Sequence, residues 1–441
     1  MNGAHFWHWL AGGVFKRGRM RILQISEDIP YPSMGGLAKH VLTLCKGLQQ
    51  AGHQVDLLGG SQNPLSVSGQ EAQFGGRFFG QLDGHLAGWK ERQLGMLQPS
   101  RRTWTARRFA RTILRHAEHY DVLHYHGHLP NVACFIPADV NFIQTRHDQG
   151  SDCVLHTRFK NGAICRSVAS QDCAGCVCAA PNRLQRSVSA YAVSRFREEV
   201  ATGMQQHKTI FVSRKLQQNL ARTLGPGPWG EVLHHFVDRS LIDAAHAAVV
   251  PVPQDQQINL ITVGKLSPAK GIHALLHSLL AFLPAKMHLQ VVGDGPLEAS
   301  LRREFARAER VHFAGWCSAA HTLQMTAAAH AVIVPSLWEE PFGGTLLEGL
   351  LLGKPCFALH RGAIPELSAY AAAGQLRLHS ALPALVKDLV AFDHFPDYGL
   401  AAGGLGGTQP VIDRLLAIYQ LPPGPLPQSH ITIPEISLRY R

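Results

Sequence analysis

Residues 338–355 read WEEPFGGTLLEGLLLGKP, and an apolar run at 331–334 comes shortly before them. An apolar strand, a loop with consecutive glycines (Gly343 and Gly344) and a helical pattern together form one unit of a parallel α/β sheet. The N–H groups that open such a helix offer a natural site for a diphosphate. Glu340 falls in the loop and Glu348 about a turn into the helix, so this stretch predicts both a sheet and a site.

The same strand–loop–helix pattern repeats on both sides of this stretch. Upstream strands are predicted at 21–25, 54–58, 121–125 and 140–145, with a helix at 37–50. After a Pro- and Gln-rich linker at 250–257, strands are predicted at 258–263, 287–292, 311–313, 331–334 and 356–359, with a helix at 272–282. Two successive sets of alternating strands and helices predict an α/β fold of two Rossmann-like domains facing each other across a cleft.

The predicted boundaries follow from these breaks in the pattern. We expect an upstream extension at 1–19, an N-terminal domain at 20–245, a C-terminal domain at 246–405, and a final helix and tail at 406–441. In such sheets ligands bind at the carboxyl ends of the strands, so the loops there are the candidate site.

Composition narrows the class of protein. Of 441 residues, 46% are hydrophobic and 17% charged, which argues against disorder. The formal net charge of +11 favours anionic partners. No apolar run reaches the roughly 18–20 residues of a membrane span. Nine scattered cysteines do not resemble a secreted disulfide framework, so we expect a cytoplasmic protein.

Two lysines belong to the loop after the strand at 258–263. Lys265 and Lys270 place ammonium groups where they could neutralise a diphosphate without a metal ion. Glu340 could then reach sugar hydroxyls and Glu348 a ribose. The alternative is that all four are solvated surface groups, or that the glutamates only complement a helix dipole.

Several motifs together resemble a known family. Residues 335–348, PSLWEEPFGGTLLE, resemble the E-x7-E signature of retaining GT-B glycosyltransferases of family four, the group 1 glycosyl transferases. The other matching landmarks, in chain order, are Gly35-Gly36, TRHD (145–148), VGKLSPAKG (263–271), VVGDGP (291–296), VHFAGW (311–316) and GAIPE (362–366). The resemblance covers roughly residues 20–420, and ordered motifs are more specific than any one of them alone.

The resemblance implies a function. It implies transfer of a hexose-type sugar from a nucleotide-diphosphate donor to a glycan or lipid-linked acceptor, with retention of configuration, in cell-surface polysaccharide synthesis. It also implies that no cofactor is required. The alternatives are a nucleotide-sugar epimerase of the same fold, and a non-catalytic glycan- or lipid-binding protein.

The resemblance also assigns residues. The catalytic set is His147, Glu340 and Lys270. The donor-binding set is Gly35, Gly36, Gly264, Lys265, Lys270, Gly343, Gly344, Thr345 and Glu348. Two departures stand out: Lys265 replaces the usual arginine, which removes a bidentate fork, and HHFVD (234–238) replaces a short asparagine-glycine motif.

A cysteine cluster has two interpretations. Cys153, Cys165, Cys173, Cys176 and Cys178 form a Cys-rich insertion near 153–178. A structural zinc site on Cys165, Cys173, Cys176 and Cys178 is one, and reduced thiols in a loop insertion are the other. No second CxxC pair has the spacing of a zinc ribbon.

Two further patterns concern partners. His124, His126 and His128 alternate, which predicts one face lining the acceptor cleft or, alternatively, a metal site. The basic stretch 101–115 predicts an amphipathic helix docking on anionic lipid at the inner membrane face. A merely solvated helix face is the alternative, and nucleic acid is disfavoured because no nucleic-acid-binding motif accompanies the stretch.

Overall fold

The computed structural model describes residues 18–29, 36–60, 75–82, 98–177, 182–250, 252–401 and 405–426. Gly35, Cys178 and most of the expected upstream extension lie outside these residues, so the predictions made for them are not addressed by the fold.

The strands and helices alternate along the chain. The strands are β1 Arg21–Ser26, β2 Gln54–Gly60, β3 Phe78–Leu82, β4 Val122–Tyr125, β5 Phe142–Arg146, β6 Phe159–Lys160, β7 Ala163–Ile164, β8 Lys208–Phe211, β9 Glu231–Val232, β10 Ile258–Val263, β11 Met287–Val292, β12 Val311–Gly315, β13 Ala331–Val334, β14 Cys356–Leu359 and β15 Leu376–His379. The helices are α1 Gly36–Gln50, α2 Gln98–Leu114, α3 Ser170–Val177, α4 Arg183–Gln206, α5 Arg214–Leu224, α6 Arg239–Ala247, α7 Ile272–Leu280, α8 Glu298–Glu304, α9 Ala319–Ala328, α10 Gly344–Leu351, α11 Leu382–Val390 and α12 Thr408–Tyr419.

Thirteen of the fifteen described strands form two parallel sheets. The first has the order β3-β2-β1-β4-β5-β8-β9 and the second β12-β11-β10-β13-β14-β15. Strand order reverses between β1 and β4 in one sheet and between β10 and β13 in the other, so each sheet has a switch point where ligands bind. The prediction of an α/β, two-domain fold is confirmed. The antiparallel pair β6–β7 lies in the Cys-rich segment.

Most predicted elements are present, with shifted ends. Strand β2 continues to Gly60 because β3 pairs beside it, from Leu57 opposite Phe78 onward. A Cβ at Gly59 would lie 2.3 Å from the carbonyl oxygen of Ile29, so only glycine fits between these segments. Helix α7 ends at Leu280, and Phe282 beyond it is exposed.

The last helix packs on the first sheet. Ile412, Leu415 and Ile418 of α12 are buried in one core cluster with Val41 and Leu44 of α1. The Tyr419 hydroxyl adds polar contacts at the helix end, since it lies 2.7 Å from Nδ1 of His124 and accepts from Nε2 of Gln24 at 3.2 Å. Helix α12 therefore contributes to the core that carries the switch point between β1 and β4.

The described helices include none with both the length and the apolar character needed to cross a bilayer.

Candidate functional site

A glycine-led turn starts helix α10 in the second sheet. Gly343 has φ 108°, and a Cβ there would lie 2.8 Å from Cδ1 of Ile364. Gly344 is exposed, and nothing lies within 4 Å of where its Cβ would be. The first N–H groups of a helix have no acceptor within the helix. The turn at Gly343, Gly344 and Thr345 thus has the free donors and the space that a diphosphate needs.

Glu340 and Lys270 form an ion pair beside this turn. Nζ of Lys270 lies 2.7 Å from Oε1 of Glu340, and the Ser336 hydroxyl donates to the same oxygen. Burial alone would raise the pKa of Glu340, but Lys270 and the hydrogen bonds outweigh it and lower the pKa. Glu340 is therefore ionised at neutral pH although only 4% exposed. Lys270 also lies 5.0 Å from the centre of the Trp338 ring.

Lys265 and Glu348 occupy different positions at the same edge. Lys265 follows Gly264 at the end of β10, is exposed, and has no ion-pair partner within the described ranges. Glu348 lies in the second turn of α10, and its Oε1 is 3.4 Å from Nζ of Lys39 in α1. Lys39 lies in the first turn of α1, which begins at Gly36, so this ion pair connects the start of that helix with α10. Sequence reasoning missed Lys39, three residues after Gly36.

His147 directly follows β5 and belongs to a chain of imidazoles. Its Nε2 lies 3.0 Å from Nδ1 of His126, and its Nδ1 lies 2.9 Å from Nε2 of His235. Burial, then the neighbours His235 and His40, hold the pKa of His147 well below its ordinary value, against the opposing charge of Asp148. The ring is therefore neutral at pH 7.

His235 was missed by sequence reasoning. It belongs to the HHFVD segment, in which the sequence indicates only a departure from the family pattern. Its ring centre lies 5.1 Å from that of Phe342, so it joins His147 to the glycine-led loop of the second sheet. The two consecutive histidines in place of an asparagine-glycine motif were the signal.

The alternating histidines are buried. His124 and His126 are fully buried, and His128 nearly so. His128 bridges two carboxylates, with Nδ1 2.8 Å from Asp148 and Nε2 2.6 Å from Asp28. The strand ends at Tyr125, and Tyr419 covers His124, so the expectation of a cleft-lining face is wrong for His124.

Two glutamates join the halves of the molecule. Glu339 accepts from Nζ of Lys215 at 2.8 Å and from Nδ2 of Asn219 at 2.8 Å. Glu366, in the GAIPE motif, accepts from the backbone N–H groups of Arg214 and Lys215 at 2.9 and 2.8 Å and so caps α5. Sequence reasoning did not identify Glu339 or Lys215.

The cysteines Cys165, Cys173 and Cys176 carry free thiols near one another. Burial raises the pKa of Cys173, and the neighbouring Cys176 and Cys165 raise it further, against Arg197. Among the described residues, the groups of three or more side chains close enough to share a metal ion include no cysteine. With Cys178 outside the description, the zinc site stays a prediction.

The chain is similar to several known proteins. Residues 34–241 match the profile of the family described as Glycosyltransferase Family 4, and residues 257–388 that of Glycosyl transferases group 1. The glycogen synthase of Mycobacterium tuberculosis is 24% identical over 383 residues, which cover 79% of this chain and 80% of that protein. The D-rhamnosyltransferase WbpZ of Pseudomonas aeruginosa is 34% identical over 103 residues, or 23% of this chain and 26% of WbpZ.

Solved structures share the fold. Sucrose-phosphate synthase from Thermosynechococcus elongatus has a TM-score of 0.58 at 19% identity, covering 91% of this chain and 95% of that one. HepE of Anabaena, in complex with UDP, has a TM-score of 0.56 at 16% identity, covering 90% and 99%. The two family profiles match most of the chain, and the two facing parallel sheets agree with them. The protein is a glycosyltransferase of the group 1, family 4 class, with the GT-B fold.

Proposed function

We propose that the protein transfers a hexose-type sugar from a nucleotide-diphosphate donor to a glycan or lipid-linked acceptor, with retention of configuration, in polysaccharide synthesis. The observation that carries this proposal is the Lys270–Glu340 pair beside the glycine-led start of α10. A cation, a buried carboxylate and free N–H groups are the groups that a sugar diphosphate would use. The structure of HepE with UDP and glucose supports the donor class.

The charges suit departure of a nucleoside diphosphate. When the bond from the anomeric carbon to the phosphate oxygen breaks, negative charge grows on the phosphate. Lys265, Lys270 and the N-terminus of α10 stabilise that charge more in the transition state than in the ground state. The acceptor hydroxyl attacks the same face, and its proton passes to the departing phosphate oxygen. The new glycosidic bond therefore keeps the configuration of the donor.

The donor separates Lys270 from Glu340 in this mechanism. Lys270 turns to the phosphate, and the carboxylate that it leaves accepts from the sugar hydroxyls. Glu348 holds the ribose, and neutral His147 approaches the sugar from the first sheet. The Glu340 carboxylate stays hydrogen-bonded throughout, because hydroxyl donors replace the ammonium group.

The experiment is a nucleoside diphosphate release assay with UDP-, GDP- and ADP-sugars, with and without a chelator. We expect release from one donor, indifferent to chelator, and a loss of at least about 100-fold in Glu340→Gln. The surface variant Glu304→Gln is the matched control and keeps wild-type release. An epimerase would convert the sugar without releasing diphosphate. If no donor is turned over and none binds in calorimetry, the enzymatic proposal is wrong.

We propose that helix α2 docks on anionic lipid. Arg101, Trp104, Arg108 and Arg111 recur at three- and four-residue intervals and share one face. Trp104 is 61% exposed, and the Arg108 guanidinium lies 5.2 Å from its ring. The inclusion of Arg102 in this surface is wrong, since Arg102 is buried and donates to the carbonyl of Val154.

Vesicle sedimentation tests this docking. Each cation near an anionic surface contributes about 1 kcal/mol, so Arg108→Glu/Arg111→Glu should weaken binding to phosphatidylglycerol vesicles by at least about 30-fold. The double variant Arg303→Glu/Arg307→Glu, on the second sheet's side, should bind like wild type. Equal loss in both variants would contradict a specific docking face.

A further inference from the structure

Three imidazoles of the first half converge where no role beyond that of His147 has been assigned. His40 comes from α1, His147 follows β5, and His235 follows β9. One ring nitrogen from each lies within 4.8 Å of the other two. We propose that His40, His147 and His235 bind one divalent transition-metal ion of the kind that prefers imidazole, with Zn²⁺ as the physiological candidate, and that this ion excludes the donor sugar.

A hydrogen-bond chain prepares His147 as a ligand. Oε1 of Gln24 lies 2.8 Å from Nε2 of His126, and this oxygen only accepts, so His126 carries its proton on Nε2. Nδ1 of His126 then accepts from Nε2 of His147. Nδ1 of His147 is left with a lone pair directed at His235. Ligating histidines characteristically donate their other N–H to an outer acceptor in this way.

His40 has a buried ring nitrogen whose position the described contacts do not explain. Its Nδ1 is buried with no hydrogen-bond partner in the described part of the chain. Buried polar groups without partners are rare in folded proteins, and each calls for a cause. A metal ion shared with His147 and His235 supplies one.

Ring rotation completes the site. The His40 and His235 rings are stacked, with centres 4.2 Å apart and planes 15° apart, so one ring must turn to direct a nitrogen at a shared ion. Turning His40 breaks no hydrogen bond to any described residue, and a cavity of about 10 Å³ borders the ring. His147 Nδ1 and His235 Nε2, now 2.9 Å apart, must separate slightly, since Zn–N bonds of about 2.0–2.1 Å place tetrahedral ligands about 3.3 Å apart.

The consequence for the donor rests on the proposed function, whereas the metal site itself does not. Three protein ligands leave a fourth position open, as in zinc sites that exchange a ligand. An ion held by His147 would occupy the side of the cleft from which that ring approaches the sugar. Metal and donor would therefore exclude one another, and a rise in free metal would shut the enzyme off.

The test uses Co²⁺ as a spectroscopic probe for the Zn²⁺ site. The full-length chain carries His277→Gln throughout, because His273, His277 and Glu304 form an exposed group that also suits a metal. We expect one Co²⁺ per chain with the visible absorption of a tetrahedral nitrogen site. Affinity should fall by about 100-fold or more in His40→Gln and in His235→Gln, since even outer-shell substitutions cost 10–100-fold. Far-ultraviolet circular dichroism verifies that both variants fold.

Several outcomes would overturn the metal site. These are absorption that persists in both variants, absence of binding, or thiolate charge-transfer absorption that disappears in Cys173→Ser, which would place the ion at the cysteines. Competition between the metal ion and the donor is measured in a separate experiment. The nucleotide sugar identified as donor by the release assay should weaken Co²⁺ binding at least tenfold after correction for its own chelation of Co²⁺, and unchanged binding would overturn the exclusion. Because Co²⁺ binding is measured without nucleotide, failure of the release assay leaves its result intact.

Discussion

Lys270 and Glu340 show which features of the site can be predicted from individual residues and which cannot. The sequence places both at the carboxyl ends of strands in one sheet, 70 positions apart, and the structure brings their charged atoms to 2.7 Å. Spacing could predict the shared edge, because parallel strands present their ends together. It could not predict the pairing itself, nor the contact of His235 with His147, because these depend on side-chain rotamers and on loop paths without a periodic pattern.

The ion pair predicts an asymmetry between single and double variants. Lys270→Met leaves the Glu340 carboxylate buried without its cation, and we expect the free energy of unfolding to fall by about 2–4 kcal/mol at pH 7. Lys270→Met/Glu340→Gln removes both charges and should recover most of that loss. Denaturant titration measures both. A double variant no more stable than Lys270→Met would mean that lost packing, not an unpaired charge, sets the cost.

At the scale of elements, helix α12 illustrates what an amphipathic sequence pattern can and cannot predict. The pattern predicts a helix at 411–420 with Leu415, Leu416, Ile418 and Tyr419 buried. The structure has Leu415, Ile418 and Tyr419 buried in Thr408–Tyr419, whereas Leu416 is only half-buried. The pattern does not show what covers them. Helix α12 packs on α1, which lies more than 350 residues earlier in the chain. This contact depends on the path that the chain takes after the second sheet.

The hydrogen bonds of Tyr419 allow the contribution of α12 to the stability of the fold to be tested. Tyr419→Phe keeps the ring but removes the hydroxyl shared by His124 and Gln24, so a buried imidazole and a buried amide lose a partner. We expect the free energy of unfolding to decrease by about 1–3 kcal/mol. Tyr191→Phe, on an exposed face of α4, is the matched control and should change it little. Equal stability of the two variants would show that water replaces the hydroxyl.

Across the whole molecule, the repeated strand–loop–helix units and the linker at 250–257 predict two sheets. They do not predict how the sheets join. Glu339 and Glu366 both belong to motifs of the second half, yet each binds α5 of the first half. A motif indicates which residues share a function, whereas contacts between halves depend on surfaces far apart in sequence. The His-rich composition likewise gives no hint that many of the rings are buried.

Those buried rings predict the stability of the whole chain against acid. Burial is the main cause that lowers the pKa of both His124 and His156 to about 3. In the unfolded chain the same groups have a pKa of about 6.5. Between these values the unfolded state binds protons that the folded state does not, so stability is complete above about pH 6.5 and decreases as pH falls below it.

Each of these two rings should therefore lower the free energy of unfolding by about 2 kcal/mol between pH 7.5 and pH 5.0. Carboxylates with lowered pKa, such as Glu340, lose their contribution only below their ordinary value of 4.5, and a buried carboxyl group with raised pKa, such as Glu27, acts in the opposite direction. The loss of stability in this window therefore comes from the imidazoles. His124 and His156 together should contribute about 4 kcal/mol to the change that denaturant titrations of wild type show between the two pH values. The change in His124→Gln should be smaller than that of wild type by about 2 kcal/mol, and the change in the exposed His246→Gln should equal that of wild type. An equal change in His124→Gln and in wild type would mean that the folded chain accepts this proton, and that the ring is not held neutral by burial.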